Sequence, residues 1–496
     1  MKPATRISGA YQAIPRITDE FHSLADVGWY GSAYTLGNAA LQLLSGKTFQ
    51  YFNLKWSWLF FFAIFEVVGR VIAGGLGRQG VVSGAFTIIS ACVPVEKRPP
   101  LIGALMGITQ LGNIAGPVIG GAFTTGYTWR WCFYINLPVG ALVAFPIMFI
   151  DIPEQMPKDN FWTVLRQIHH RLDLFGLALF APAVTQLLLA LQYGEELAWN
   201  SPRVIGLFSG AGANFIIWLV WNYYRKENAL LPVSLVKRRT IWSGALFHGL
   251  LISTLFGVTY WLPIYFQAVE DLNAVTSGVN LLPVILPQLV TGIACGFLVN
   301  RLGFVPPFAT LAGVLTSVAT GLFSTLRPDT LVAARVGYQI IMGVGLGCGV
   351  QMALVNTQNS VSPQQISIAT ALIFWAQSLG PTIFLPLYNT IFSTSLTSEL
   401  KRQAPLVDAE AVMHAGVTGF RQIVEAQYLP SVLEAYSESI GRIFYLATAA
   451  GALTVFAAWG MGWKDIRKTK AKANAPSPHI TNATKPVDKP LDSDKV

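Results

Sequence analysis

The chain has 496 residues, of which 53% are hydrophobic and 12% are charged, and it carries a formal net charge of +9. Soluble domains contain roughly 25% charged residues, so this chain lacks the polar side chains needed to cover a water-facing surface. Composition therefore excludes a soluble protein and predicts one that resides in the lipid bilayer.

Apolar windows of the length that crosses a hydrocarbon core of about 30 Å recur along the chain. They fall near 30–45, 101–121, 131–150, 174–192, 203–223, 241–265, 277–299, 306–325, 331–355, 366–393 and 442–462. The block 57–92 is too long for one ordinary helix and a little short for two full spans, so we interpret it as a shortened helical hairpin. The pattern predicts an all-α polytopic membrane protein with about 13 transmembrane helices.

Lysine and arginine predict the orientation, because short loops rich in them stay on the cytoplasmic side. A hairpin at 57–92 places the four basic residues that flank it on one side of the membrane, together with the basic tail. These four residues are Lys47, Lys55, Lys97 and Arg98. We expect an outer amino terminus and an inner carboxyl terminus. Attraction to anionic inner-leaflet lipid then explains the positive charge, and no nucleic-acid partner is expected.

Several strings in this chain carry a family resemblance through their order and spacing. They are AIPRITDEF at 13–21, WYGSAY at 29–34, EKRP at 96–99, GNIAGPVIGGAF at 112–123, WRWCFYINLP at 129–138, YWLPIYFQ at 260–267 and the glycine-rich 337–349. Together they resemble the major facilitator superfamily, specifically its fungal fourteen-span drug:proton antiporter branch. The resemblance implies the major facilitator fold.

The family's antiporter motif, Gly-x-x-x-Gly-Pro-x-x-Gly-Gly, is matched in full. The matching residues are Gly112, Gly116, Pro117, Gly120 and Gly121. A proline kinks the helix and glycines let a second backbone come close, so two bundles can rock against each other. A static packing face is the alternative interpretation of so many glycines.

The chain departs from the family pattern near its start. The first span, with its intramembrane aspartate, is expected to be missing, and the hairpin at 57–92 lacks the usual outer loop near Val68 and Gly69. The following Arg-x-x-x-Gly-x-Gly pattern contains one extra residue between Arg70 and Gly77. We therefore expect an amino-terminal bundle of five spans rather than six.

The predicted spans divide the chain into seven segments. In chain order these are an outer amino-terminal segment (1–29), an incomplete amino-terminal helical bundle (30–150), a linker loop with two additional spans and a basic cytoplasmic loop (151–240), a carboxyl-terminal helical bundle (241–393), a long outer loop (394–440), a last span (441–463) and a disordered cytoplasmic tail (464–496). Apolar residues at helical spacing predict an interfacial amphipathic helix within the long outer loop.

Three residues are candidates for proton coupling. Arg70 matches the arginine that the resemblance implicates in coupling, and Glu66 lies one turn away from it, although a structural pair is the alternative. His248 is the only histidine within a predicted span and titrates near neutral pH when unperturbed, although a hydrogen-bonded packing role is its alternative.

Uncharged polar and aromatic side chains in the spans are candidates for a substrate cavity. They are Gln110, Asn113, Tyr260, Tyr265, Gln267, Gln339, Gln351, Asn356 and Gln377. Amides interleaved with aromatic rings suit flat, amphiphilic organic molecules better than ions or sugars. Interfacial aromatic belts are the alternative explanation for many of the rings.

The sequence as a whole predicts proton-coupled efflux of hydrophobic organic compounds, such as toxins, drugs or secondary metabolites, at the plasma membrane, with the vacuolar membrane as the alternative location. No phosphate-binding loop for ATP is present, so a gradient must drive transport. No catalytic constellation, metal-ligand spacing or cofactor motif is found, and the four cysteines suit packing. A uniporter, a siderophore-type permease of the same fold and a non-transporting degenerate or partner protein are the alternatives.

Overall fold

The computed structural model of the chain describes residues 27–68, 72–94, 97–105, 108–109, 112, 123, 128, 130–154, 157–463 and 465. These residues are predominantly helical, and no β-strand occurs among them. The prediction of an all-α protein is therefore confirmed.

Thirteen of the described helices are long enough to name. They are α1 (Val27–Tyr51), α2 (Leu54–Val68), α3 (Ile72–Cys92), α4 (Asn136–Phe149), α5 (Leu174–Leu197), α6 (Pro202–Arg225), α7 (Arg239–Ala268), α8 (Leu282–Leu302), α9 (Pro306–Phe323), α10 (Val332–Gly349), α11 (Ile366–Gln403), α12 (Ala409–Ile423) and α13 (Leu429–Gly460). The shorter helical pieces are 98–105, Trp131–Tyr134, Phe161–Arg166, Ile168–Arg171, Lys226–Asn228, Val233–Val236, Ala274–Val279, Met352–Ser360 and Pro363–Gln365.

Within the described part of the chain, eight helical stretches are long and apolar enough to cross a membrane. They correspond to α5 to α11 and α13, while α4 and the second half of α3 are apolar but shorter. Outward-facing side chains such as Leu142 on α4 and Ile216 on α6 are more than 60% exposed, as expected for a surface in contact with lipid. The polytopic prediction is confirmed, whereas the total of about 13 spans remains a prediction.

Two helices, α2 and α3, occupy the block 57–92. At a rise of 1.5 Å per residue, the 15 residues of α2 reach only about 22 Å, less than the hydrocarbon thickness of about 30 Å. The two helices pack closely, because a Cβ atom on Gly77 would lie only 2.5 Å from the backbone nitrogen of Phe65. The indole nitrogen of Trp58 also donates a hydrogen bond to the carbonyl of Val81 at 3.0 Å.

The turn between α1 and α2 is held by the segment that follows α4. Lys158 donates to the carbonyl oxygens of Phe49 and Gln50, both at 2.8 Å, and so caps the last turn of α1. Glu154 accepts a hydrogen bond from the backbone nitrogen of Leu54 at 2.7 Å, at the start of α2. Burial lowers the pKa of Lys158, and the neighbouring Glu154 opposes that shift. Cations at helix carboxyl termini are favoured by the helix dipole.

The helices at the outer end extend further than the sequence predicts. The predicted outer loop 394–440 contains the end of α11 and the first turns of α13, which leaves only 404–428 between them, and this shorter segment contains α12. The polar residues that lower the hydropathy of 393–398 remain helical because their hydroxyls bond back to the preceding turn, as Thr397 does to the carbonyl of Ser393 at 2.9 Å. The predicted helix in this loop is present as α12.

A buried carboxylate joins α11 to α13 at that outer end. The side chain of Glu399 is only 3% exposed, and it accepts hydrogen bonds from Arg402 at 2.8 Å, from Gln403 at 3.0 Å and from Arg442 of α13. Arg402 also pairs with Glu438 at 3.0 Å. A buried charge is tolerated when it is paired and hydrogen-bonded in this way. The cluster explains why both helices continue past the apolar windows.

A second buried carboxylate, Asp173, organises the predicted cytoplasmic end. Asp173 is fully buried, has a positive φ of 50° and caps α5 by accepting from the backbone nitrogen of Gly176. It also accepts from the indole nitrogen of Trp221 on α6 at 2.9 Å and from the backbone nitrogen of Leu230 at 2.7 Å. One side chain therefore fastens α5, α6 and the loop that leads to α7.

Replacing Asp173 should destabilise the folded protein. Asp173→Ala leaves three donors without their acceptor and a non-glycine residue at positive φ, so we expect a loss of about 3 kcal/mol or more. Thermal unfolding of the detergent-solubilised protein measures the effect. Asp159→Ala is the control, because its side chain is 55% exposed in its pair with Arg171 and should change stability by less than about 1 kcal/mol. Equal melting temperatures for the two variants would contradict the role of Asp173.

Candidate functional site: the seam between two helix groups

Two groups of helices meet along an interface that we call the seam. The amino-terminal group is α1 to α4 with the helical residues 98–105, and the carboxyl-terminal group is α7 to α11 with α13. The seam consists of the contacts of α1 and α3 with α11 and of the contacts of 98–105 with α8 and Gln351. Interfaces between helix groups are where transporters bind and release their substrates.

A glycine brings α1 into contact with α11. A Cβ atom on Gly46 would lie 2.7 Å from the Cβ atom of Ala371 and 2.9 Å from the Cα atom of Ile368. No larger residue fits without moving one helix. Next to this contact, the rings of Phe86 on α3 and Phe374 on α11 lie 5.1 Å apart.

Glycines also bring the helical residues 98–105 into contact with α8. A Cβ atom on Gly103 would lie 2.6 Å from both the carbonyl oxygen of Gly292 and the Oε1 atom of Gln351. A Cβ atom on Gly296 would lie 2.7 Å from the Cα atom of Pro100. Gln351, a predicted cavity residue, donates its amide to the carbonyl of Gly292 at 2.7 Å and is buried in the seam.

These contacts lie toward the predicted cytoplasmic end, since Gly46 precedes Lys47 and Gly296 lies near Arg301. Apart from the contact with the amide of Gln351, they are van der Waals contacts between backbone atoms and small or apolar side chains. Each atom pair in such a contact contributes only about 0.1–0.2 kcal/mol, so the surfaces can separate and rejoin at low cost. The seam therefore has the chemistry of a contact that opens and closes.

Glu66, a predicted proton-coupling residue, lies half-buried on α2. One carboxyl oxygen, Oε2, is buried without a hydrogen-bond partner. The other, Oε1, faces α4, because a Cβ atom on Gly140 would lie 2.8 Å from it. Arg70 lies outside the described residues, so the predicted pairing of Glu66 with Arg70 stays a prediction.

The structure brings together two other predicted residues, His248 and Gln377. His248 on α7 is fully buried, and its Nε2 atom lies 3.1 Å from the Oε1 atom of Gln377 on α11. Its Nδ1 atom is buried without a hydrogen-bond partner. The bond to Gln377 fits the packing interpretation, and the unpartnered nitrogen leaves the proton-coupling hypothesis open.

Three predicted cavity residues make hydrogen bonds near the ends of the helices. Tyr265 is fully buried and donates its hydroxyl to the carbonyl of Arg327 at 2.7 Å. Gln267 donates to the hydroxyl of Ser277 at 3.3 Å. Asn356 donates to the carbonyl of Met461 at 3.0 Å. The structure does not bring these three residues together with Gln377.

The remaining predicted residues fall into three sets. Tyr260 is half-buried on α7 with its ring 5.4 Å from that of Trp261, and Gln339 on α10 is buried with its Oε1 atom unpartnered. Gly112 is exposed, and a Cβ atom there would meet nothing within 4 Å, so the predicted close approach of a second helix is not seen at this position. The others lie outside the described residues: Gln110, Asn113, Gly116, Pro117, Gly120 and Gly121.

Two polar residues of the seam were missed by the sequence analysis. Asn38 and Gln42 on α1 are both buried and carry amide atoms without hydrogen-bond partners. They were absorbed into an apolar window, because average hydropathy hides single amides. Their spacing of four residues, which places both on one helix face, was the available signal.

Comparison with known proteins places this architecture in a family. Residues 5–385 match the family model of the Major Facilitator Superfamily. The MFS-type transporter pigP of Monascus ruber is 49% identical over 471 residues, which cover 92% of this chain and 82% of that protein. The efflux pump mlcE of Penicillium citrinum is 42% identical over 482 residues, which cover 92% of this chain and 86% of that protein.

A solved structure shows a likeness in fold alone. The proton:xylose symporter XylE bound to 6-bromo-6-deoxy-D-glucose aligns with a TM-score of 0.51 at 12% sequence identity, over 93% of this chain and 94% of that one. The family match covers more than half of this chain, and its relatives exceed 30% identity over most of their length. The predicted resemblance is thereby confirmed: the chain belongs to the major facilitator superfamily and is a multi-pass membrane transporter.

Proposed function

We propose that this transporter exports small hydrophobic organic compounds across the plasma membrane in exchange for protons, and that it catalyses no chemical reaction. The observation that carries the proposal is the glycine seam between the two helix groups. Relatives named efflux pumps support the outward direction. The vacuolar membrane is the alternative location.

The seam suggests how access to the transport pathway alternates. With Gly46 against α11 and Gly103 against α8, the two helix groups are joined near the predicted cytoplasmic end. Uptake of a compound from the inner side requires these contacts to separate, and release to the outside follows when they rejoin. The large lipid-exposed apolar surface of α4 and α6 keeps the protein in the bilayer throughout.

Uncharged polar and aromatic groups in the carboxyl-terminal helix group favour an amphiphilic organic substrate. Gln339 on α10 and Gln377 on α11 provide uncharged hydrogen-bonding groups, while the half-buried Tyr260 on α7 provides aromatic surface. Pockets that combine aromatic faces with a few uncharged polar atoms bind flat organic molecules well.

Proton coupling is assigned in this proposal to Glu66. A coupling group must lose and regain a proton, and Glu66 has a carboxyl oxygen without a competing hydrogen bond. His248 is sealed from solvent and bonded to Gln377, which makes it the second choice. Arg70, which lies four residues further along the chain and outside the described residues, would then stabilise the charged form of Glu66.

Filling the seam should stop transport. In Gly103→Val the added side chain overlaps Gln351 and Gly292, so the two groups cannot rejoin, and we expect efflux to fall at least about tenfold with normal insertion into the membrane. The measurement is Nile red efflux from cells expressing the full chain, normalised to the amount of protein in the membrane. Gly206→Val on α6 is the matched control, because nothing lies within 4 Å of its added Cβ atom. Wild-type efflux by Gly103→Val would refute the proposed role of the seam.

Neutralising Glu66 should uncouple transport from protons. A gradient of one pH unit supplies about 1.4 kcal/mol per proton, enough for a roughly tenfold substrate gradient. In proteoliposomes, Glu66→Gln should still equilibrate Nile red but should no longer concentrate it when a pH gradient is imposed. His248→Gln should retain the response to the gradient. A full response in Glu66→Gln together with its loss in His248→Gln would transfer the coupling role to the histidine.

A further inference from the structure

The α1 side of the seam contains amide groups that the protein itself leaves unsatisfied. Gln42 is fully buried, and neither its Nε2 nor its Oε1 atom has a hydrogen-bond partner. Asn38 is 4% exposed, and its Oδ1 atom is likewise unpartnered. Leaving a buried polar group unsatisfied costs about 1–3 kcal/mol. A hydrogen-bonding partner that binds in another conformation of the transporter would remove this cost.

Helix geometry places these amides along the seam. Asn38, Gln42 and Gly46 follow one another at intervals of four residues, so they lie on one face of α1. Gly46 touches Ile368 and Ala371 of α11, which shows that this face is turned toward α11. The amides therefore extend from the close glycine contact toward the middle of the membrane.

The neighbouring face of α1 is already occupied by hydrogen bonds within the protein. Ser45 donates to the carbonyl of Gln42 at 2.7 Å, and its hydroxyl lies 3.1 Å from that of Ser83 on α3. These bonds use the backbone oxygen of Gln42 and leave its side-chain amide unengaged. Gln42 is thus set apart from the polar contacts that hold α1 to α3.

A third unpartnered group lies on α11. Trp375 follows Ala371 by one helical turn, and Gln42 precedes Gly46 by one turn. Because α1 and α11 run antiparallel in the predicted topology, both steps lead in the same direction along the membrane. The indole nitrogen of Trp375 is buried without a hydrogen-bond partner. The ring of Trp375 also packs against that of Phe180 on α5, with 5.8 Å between the ring centroids. This contact helps to hold the indole in place.

We propose that Asn38, Gln42 and Trp375 form an uncharged hydrogen-bonding subsite in the α1–α11 part of the seam. This proposal rests on the proposed export function and names the chemistry that the subsite takes: a carbonyl or hydroxyl group of the transported compound. When the seam opens, the compound satisfies the amides, and when it closes, the contact between α1 and α11 displaces the compound from them. Gln42, which has two unsatisfied atoms, is the main determinant of specificity.

Two lipophilic dyes of different chemistry test the subsite. Nile red carries a carbonyl acceptor, whereas pyrene is a hydrocarbon that cannot accept a conventional hydrogen bond. In proteoliposomes containing the full chain, Gln42→Leu should raise the KM for Nile red about tenfold and leave pyrene transport unchanged, because one hydrogen bond to a buried site is worth about that factor. Gln42→Met, which keeps the length of the side chain, serves as a second variant if the leucine variant fails to insert.

The matched control is Gln358→Leu. Gln358 is also a buried amide, but its Nε2 atom lies 3.4 Å from the hydroxyl of Thr370 and it lies outside the α1–α11 contacts. The Gln358→Leu variant should show the same effect on the transport of Nile red as on the transport of pyrene.

The outcomes separate the subsite from the proposed function. If the wild-type protein moves neither dye, the export function itself is contradicted. If the wild type moves both dyes and both Gln42 variants keep the wild-type KM for Nile red, export stands and the subsite is refuted. An equal rise in KM for both dyes would assign Gln42 to the packing of the seam and would also refute the subsite. A rise confined to Nile red is the result that supports it.

Discussion

Close packing of glycines across the seam is the constraint on which the rest of this transporter depends. Gly46 and Gly103 allow backbone and side-chain atoms to approach within distances that a Cβ atom would prevent. Because the contacts involve small surfaces, the proposed opening of the seam requires little free energy.

Buried charged groups fasten helices to one another at the two ends of the molecule. Glu399 ties α11 to α13 at the outer end, and Asp173 ties α5 and α6 to the following loop at the inner end. Both carboxylates are buried and fully engaged: Glu399 joins two helices of the carboxyl-terminal group, and Asp173 joins α5 and α6, which belong to neither group. The unpartnered side chains Asn38, Gln42 and Trp375 are uncharged, so separating the helices at these three positions does not require an ion to lose its partner.

Hydropathy and motif order were enough to predict the helical class, the family and most spans, because lipid imposes length and apolarity on each helix. Hydropathy placed the end of α11 too early, since it cannot register hydroxyls that bond back to the helix or the pairing of Glu399 with Arg442. Hydropathy also missed Gln42, because this residue stands out only through the lack of hydrogen-bond partners for its buried amide atoms in the folded structure. The His248–Gln377 contact joins residues 129 positions apart, and no local pattern predicts it.

The most direct test of the account is a distance measurement across the inner end of the seam. Spin labels at Trp56 on α2 and Leu302 on α8, both exposed, report on the separation of the two helix groups after the native cysteines are replaced by serine. Double electron–electron resonance should show a short and a long distance whose populations change with Nile red and with pH, and Gly103→Val should leave only the long one. A single distance, unchanged under all of these conditions and in the variant, would contradict an opening seam.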